Sequence, residues 1–502
     1  MTIDKPLILF KLAVAIVFAA MALLGGCVTS EAIIATKQDG QVISELEQTG
    51  RYADLIKVVQ GRLARGQRAN MDLLGPLCIA YGQLKQYANL FDCLDKIEVL
   101  IRQGDTKINP DLAAKSALQY FTPSDAKPLP GTLRAEAFME LGQYEKAIAA
   151  ATAAMATTDP GMGGVADLWP PFKYRLFNLV TLSISAVHSG DRELALRYIK
   201  ELEDVSLPIF IARRYWTPLK RNSLARAYMA IGDYKKALGN LDEGSTKSIY
   251  SLNDEMNSIS AGESMGNSRE IPRLLMLSKA LAETGKRAEA KTTLDGLLSF
   301  RRLNDFGEIH WLTLFERGRI AENENQRAQA ADFYRKAVDI IERQRSTINT
   351  EASKIGFVGD KQAVYQRLIT VLFADGQYAI AFEYIERAKA RALVDMLASK
   401  QDFAVHATNA SEVRTLLAQA NTAEIKGRAQ DASLETTRHR NLAIQTNQQL
   451  QQQAPELASL VSVTPVTVQD IQGRLPANEV LVEYYASGKE LYAFVLSKSG
   501  LQ

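Results

Sequence analysis

The chain has 502 residues, enough for two to four domains at roughly 150 residues each, or for one long repeat array. Its 59 basic and 57 acidic residues leave a formal charge of +2, which excludes a strongly basic nucleic-acid binder and an acidic tail protein, so no nucleic-acid partner is expected. With 47% hydrophobic and 23% charged residues it reads as folded rather than disordered; three cysteines and four histidines, with no C-x-x-C or H-E-x-x-H, give no expectation of a metal or other cofactor.

Residues 1–27 read as an address. Lys5 and Lys11 precede an apolar run from Leu12 to Leu24, too short to span a bilayer at about 20 residues per span but of signal-peptide length. The run ends in Leu24-Gly25-Gly26-Cys27, which resembles a bacterial lipobox. The resemblance implies a signal peptide over 1–26, cleavage between Gly26 and Cys27, and acyl chains on Cys27 that anchor the chain to a membrane. Val28 follows the cysteine where an Asp would signal inner-membrane retention. The expected location is therefore the bacterial outer membrane, facing the periplasm, with residues 27–40 as a tether.

From 41 to 400 one unit recurs: a helix with small residues, a turn of the form G-x-Y/R, and a second helix with alanine five places after the turn glycine. The clearest copy carries Leu224, Ala225, Tyr228, Gly232, Tyr234, Ala237 and Leu241. Others carry Ala135, Phe138, Gly142, Tyr144 and Ala147; Leu182, Ser183, Gly190, Arg192 and Ala195; and Leu277, Ser278, Leu281, Gly285 and Ala290. Further copies show Gly318, Ala321, Asn325, Ala330, Tyr334 and Ala337, then Leu368, Leu372, Gly376, Tyr378, Ala381 and Ala388. Two weaker copies centre on Gly50 and Lys85. The pattern resembles the tetratricopeptide (TPR) repeat. That resemblance implies a right-handed α-α superhelix whose first helices form a concave groove for a protein or peptide partner. Most turn spacings exceed the usual length of about 34 residues, so helices are elongated or loops inserted, with candidate inserts at 121–131, 159–171 and 258–272.

Residues 382–400 read as an amphipathic helix, and 401–465 as a polar helical hairpin or linker. At 466 the period changes. A short helix (VTVQDIQGRLP) leads to two β-rich runs, Val480–Tyr485 and Leu491–Leu496, joined by Ala486-Ser487-Gly488-Lys489. Apolar residues on both faces predict a sheet covered on both sides. The text YIERAKARALVDMLA (384–398), then the polar stretch, then LP…VLVEYY…G…LYAFVLSKSG, resembles a CHAT-domain protein, a caspase-like family in which TPR arrays are common. The resemblance implies that 466–502 begin an α/β domain cut short in this sequence. The family's His-Gly motif and catalytic Cys have no counterpart here, so no catalytic residue is carried over. Two readings follow: a membrane-anchored scaffold, or the substrate-presenting part of a cysteine peptidase whose catalytic groups lie beyond Gln502. The oligomeric state is not legible.

Other apparent chemistry is weak. Gly262-Glu263-Ser264-Met265-Gly266 matches G-x-S-x-G but lacks the flanking strand and helix of a nucleophile elbow, so it reads as a loop. His188, His310, His406 and His439 are scattered and read as ordinary residues. Cys78 and Cys93 flank the Lys85 turn at −7 and +8 on facing helices. They are either bridged, as an oxidising compartment would favour, or buried as free thiols.

Overall fold

The computed structural model describes residues 42–108, 124–157, 172–206, 211–241, 267–345, 361–399, 467–487 and 490–502, with Gln445 and Gln449. The leader (1–26), Cys27 and the tether (27–40), nearly all of 401–465, the 159–171 insert, Gly262–Gly266, His406 and His439 lie outside the described residues.

The described chain is mostly helical, arranged as eight helix hairpins followed by a small antiparallel sheet. The first pairs 42–48 with Tyr52–Ala64 and the second Met71–Gln83 with Tyr87–Arg102. The third pairs Leu129–Glu140 with Tyr144–Ala156, and the fourth Phe172–His188 with Arg192–Asp204. Ile211–Ala230 with Tyr234–Asn240 and Asn267–Glu283 with Arg287–Leu298 follow. Gly307–Asn323 with Arg327–Arg345, and Gln362–Ala374 with Tyr378–Ser399, complete the array.

Each hairpin closes in the same way. The turn residues Gly50, Lys85, Gly142, Gly190, Gly232, Gly285, Asn325 and Gly376 all have φ between 57° and 86°. The turn amide bonds back three residues, and the next amide bonds to the carbonyl five residues before it, as in Gly232 N–H to Met229 O (3.0 Å) and Asp233 N–H to Tyr228 O (2.9 Å). This is a Schellman motif, which satisfies carbonyls the helix end would leave unpaired. An added Cβ at Gly142, Gly190, Gly232, Gly285 or Gly376 would meet nothing within 4 Å, so glycine is needed there for its conformation alone. Asn tolerates this region, whereas a lysine in it costs roughly 1–2 kcal/mol.

The small residues sit where the two helices touch. At −7, Cys78, Ala135, Ser183, Ala225 and Ser278 are fully buried; at +5, Ala147, Ala195, Ala237, Ala290, Ala330 and Ala381 are as well. Gly318 holds the −7 place of the seventh hairpin because the Tyr334 ring lies 2.5 Å from where a Cβ would stand. The hydrophobic core is a strip running along the stacked hairpins, carried by residues such as Leu94, Leu179, Tyr228, Leu294 and Leu368.

Several expectations need correction. The stretch 121–131 is not simply a loop: Ser124–Asp125 (β2) pairs with Lys107–Ile108 (β1), and a helix starts at Leu129. Residues 267–272 begin a helix and not a loop, and it carries Pro272 inside it, beyond the first-turn amides that a helix start leaves free. At the C-terminus the strands run longer than predicted, as β3 (Val480–Ser487) and β4 (Glu490–Ser497), and a short β5 (Gly500–Leu501) adds a third strand. Alternation continues through Ser487 and Glu490, which pair with each other, so the ladder has no reason to stop at Tyr485. Only one face of this sheet is covered among the described residues: Phe494 and Leu496 are buried, while Val480, Val482, Tyr484 and Leu491 on the other face are exposed.

The sheet packs on the last hairpin in place of a further repeat. Phe494 lies edge-on to Phe382 (5.6 Å) and Phe373 (6.0 Å), and Tyr492 donates to Thr370 Oγ1 at 3.2 Å. Helix Val468–Arg474, started by a capping box of Thr467 and Asp470, joins the sheet through Gln472 Nε2 to Ser497 O (3.0 Å).

Candidate functional site

At four junctions the +2 aromatic or arginine of the turn motif links one hairpin to the next. Tyr87 Oη donates to Glu140 Oε2 (2.7 Å), Tyr144 stacks on His188 (5.0 Å), Arg192 donates to Ile231 O (3.0 Å) and Arg327 to Ala374 O (3.2 Å). The same sequence position therefore clamps turn edges together at these junctions.

Four first helices carry a charged residue six places before the turn: Glu136, Arg226, Lys279 and Arg319. Arg226 reaches Glu136 (3.3 Å) across the intervening fourth hairpin, so the first helices converge on the inside of the curve. Arg319 bonds Glu283 (2.9 Å) and Glu316 (2.8 Å), Lys279 lies 4.0 Å from Glu316, and Arg367 bonds Glu322 (2.9 Å), which also accepts from Tyr334 Oη (2.7 Å). The inner face is thus a ladder of paired charges, nearly balanced in sign. The half-exposed pairs among these contribute little stability, about 0–1 kcal/mol each, whereas Glu316 is buried and its pairing with Arg319 offsets its lost hydration. Their arrangement instead gives a partner alternating donors and acceptors.

The array also returns on itself. Lys85 Nζ bonds Glu140 Oε1 and lies 3.6 Å from Glu308 Oε2, while Lys361 Nζ donates to Glu308 Oε1 at 3.1 Å. Burial alone would pull the Lys85 pKa down, but the Glu140 and Glu308 carboxylates hold it above the usual lysine range. Glu140 is pushed up, chiefly by burial and despite Lys85, with Glu136 and Glu308 adding to the rise. Glu308 ends below the usual carboxylate value, since Lys85 and Lys361 outweigh its burial. Lys361 is drawn down by burial, against the pull of Glu308.

Where array meets sheet, Glu483 is buried and accepts from Lys389 Nζ at 2.6 Å, and Glu386 is hydrogen-bonded to it. Burial, then the Glu483 hydrogen bond and charge, push Glu386 up to about 7 against the opposing pull of Lys389.

Other expected sites stand as follows. The Cys78 and Cys93 sulfurs lie 2.07 Å apart with Cα atoms 5.6 Å apart, a spacing that permits a disulfide. His188 and His310 lie on helices. Among the described residues no cluster of His, Cys, Asp or Glu is arranged to hold a metal, and no helix is long and apolar enough to cross a membrane. An open trough of about 880 Å³ beside the seventh turn is lined by Lys291, Asn325, Gln326, Arg327 and Asp375 and holds no nucleophile with a base. The inner-face ladder and the Lys85 cluster were missed by motif reading. Their only signals were the recurring charge at −6 and the lone lysine at a turn otherwise built on glycine or asparagine.

No family model matches the sequence, and no curated protein does. Among solved structures, the apo form of RapI aligns over 84% of this chain and 99% of its own at 11% identity, with a TM-score of 0.28. An IFIT1 monomeric mutant with Gppp-AAAA aligns over 70% of this chain and 89% of its own at 15% identity, with a TM-score of 0.21. Superpositions this loose carry no argument, and the TPR-like reading of the fold rests on the eight matching turns and the small residues packed at −7 and +5.

Proposed function

We propose that this chain is a lipid-anchored scaffold of the periplasmic face of the outer membrane that holds a protein or peptide partner on the inner face of its helical array. The observation that carries the partner reading is the ladder of Glu136, Arg226, Lys279 and Arg319 on converging first helices. Repeat arrays bind through such extended inner surfaces, and paired side chains can exchange partners with a ligand at small net cost. The lipid reading rests on Leu24-Gly25-Gly26-Cys27.

Two measurements test it. Photo-crosslinkers placed at Lys279 should capture one recurring envelope protein, whereas the same probe at Lys57, an exposed site on the second helix of the first hairpin, should not. Equal capture at both would end the inner-face reading. Cys27→Ser should lose labelling by an alkyne palmitate analogue and leave the membrane fraction; retained labelling would end the lipid reading.

A second reading is favoured by the strand text from Val480 to Leu501 docked on the end of the array. In it, the array presents substrates to a caspase-like domain of CHAT type whose catalytic groups lie outside this sequence. Reading the gene past codon 502 tests it: an H-G motif and a later cysteine support it, and a stop codon removes it.

A further inference from the structure

Lys85 is unusual in two ways. Of the eight turn residues in the left-handed region, six are glycine and one is asparagine; Lys85 alone has a long side chain there. A lysine gains nothing locally from that conformation, so the reason for it must lie where the side chain goes. It leaves its own hairpin, bonds Glu140 on the third, and approaches Glu308 at the start of the seventh. Lys361, at the start of the eighth, bonds that same Glu308. All four side chains are largely withdrawn from solvent, and their charges cancel.

Other contacts join the same two parts of the chain. The Phe306 ring fills the space over Gly50, with its Cζ 2.1 Å from where a Cβ would stand. Arg302 lies 3.7 Å from Asp54, and Tyr52 is hydrogen-bonded to Ser268. The turn ends of the first and second hairpins therefore abut the entry ends of the sixth, seventh and eighth.

We propose that Lys85 is a clasp that holds the array closed on itself, so that the inner face opens to a large partner only when the Lys85–Glu308 contact separates. The closing contact stands independently of the partner-binding reading; the statement about access rests on that reading. The contacts at Gly50, Tyr52 and Asp54 join the same two parts of the chain, but a buried ion cluster that loses one member leaves its partners uncompensated. Removing Lys85 alone should therefore unbalance Glu140 and Glu308 together.

The test uses the mature full chain with Lys85→Gly, Lys85→Arg and Glu308→Gln. Small-angle X-ray scattering should show a larger maximum dimension for Lys85→Gly and Glu308→Gln than for the parent. Amide exchange in residues 306–314 should rise by at least about tenfold in both. Lys85→Arg should stay near the parent, since a guanidinium keeps the charge. Exchange in Met71–Gln83 reports whether the second hairpin itself has unfolded. If Lys85→Gly loosens it, Glu308→Gln, which changes no residue of that hairpin, decides. Unchanged scattering and exchange in Glu308→Gln would overturn the proposal, whichever way Lys85→Gly behaves. Crosslinking at Lys279 in the same variants separates the two claims: an opened array without altered capture sinks the access step and leaves the clasp.

Discussion

Gly318→Ala should destabilise the seventh hairpin, although the same exchange in a helix normally stabilises. Gly318 sits inside helix Gly307–Asn323, where alanine is favoured over glycine by about 0.5–1 kcal/mol. The added Cβ, however, would lie 2.5, 2.8 and 3.1 Å from Cε1, Cδ1 and Cζ of Tyr334. That ring has little room to move: it is fully buried, tied through its hydroxyl to Glu322, and packed against Phe315 at 5.8 Å. Overpacking of this kind costs typically about 1–3 kcal/mol. Gly296, also within a helix, is the matched control, since nothing lies within 4 Å of its added Cβ. The helix-propensity gain is common to both variants, so the difference between them isolates the clash at about 1–3 kcal/mol in favour of Gly296→Ala. Native-state amide exchange over 307–323 and 287–298 reads the local free energies, and urea unfolding followed by circular dichroism gives the global ones. If Gly318→Ala is as stabilising as Gly296→Ala, the claim that close helix approach selects the −7 residue is wrong.

Gly232→Ala should cost about 1–2 kcal/mol by strain at φ 80°, while Gly232→Asn should cost less; equal losses in thermal unfolding would mean that the turn conformation is not what selects glycine. The Glu386–Glu483 contact should make docking of the sheet pH-dependent. The folded state holds its Glu386 proton up to about pH 7, the unfolded state only to near 4.5, so this contribution falls as pH rises between those values. Carboxyl-selective NMR of labelled glutamate reads the titration directly, and Glu386→Gln should flatten the stability profile in that window. Reduction of a Cys78–Cys93 bridge, which closes a loop with a sequence separation of 15, should lower the stability of the second hairpin by roughly 3 kcal/mol. Mass spectrometry after non-reducing alkylation establishes whether the bridge is formed, and two freely alkylated thiols would remove the basis for that loss.

What could be read from the residues, and what could not, follows the range of the forces. The turns at Gly142, Gly190, Gly232, Gly285, Asn325 and Gly376 were legible because a left-handed residue and its flanking small residues are local demands. Lys85 was legible only by its spacing, since its conformation is held by groups far along the chain. The pairing of Lys107–Ile108 with Ser124–Asp125 left no periodic trace, as two residues are too few to show alternation. The candidate site was the least visible part. A charge at −6 in one hairpin means little until curvature brings Arg226 to Glu136 across the hairpin between them. The apolar outer face of β3 and β4 was recognised, but sequence pattern could not say which face the last hairpin covers; Phe373 and Phe382 decide that by meeting Tyr492 and Phe494.

The return contact between Lys85 and Glu308 also changes how the array should gain and lose its structure. A linear array is a chain of nearest neighbours, so its terminal units fray first and each break is local. Here the first two hairpins are held from two directions, by the third hairpin behind them and by residues 302–308 beside them. That contact joins points so far apart in sequence that it cannot form until the hairpins between them are stacked, and its closure entropy is then already spent on forming them. The early hairpins should fold locally and fast, and the closing contact should come as a separate, slower event. Damage in the middle of the array should accordingly loosen its beginning, where an open array would keep its own first hairpins intact.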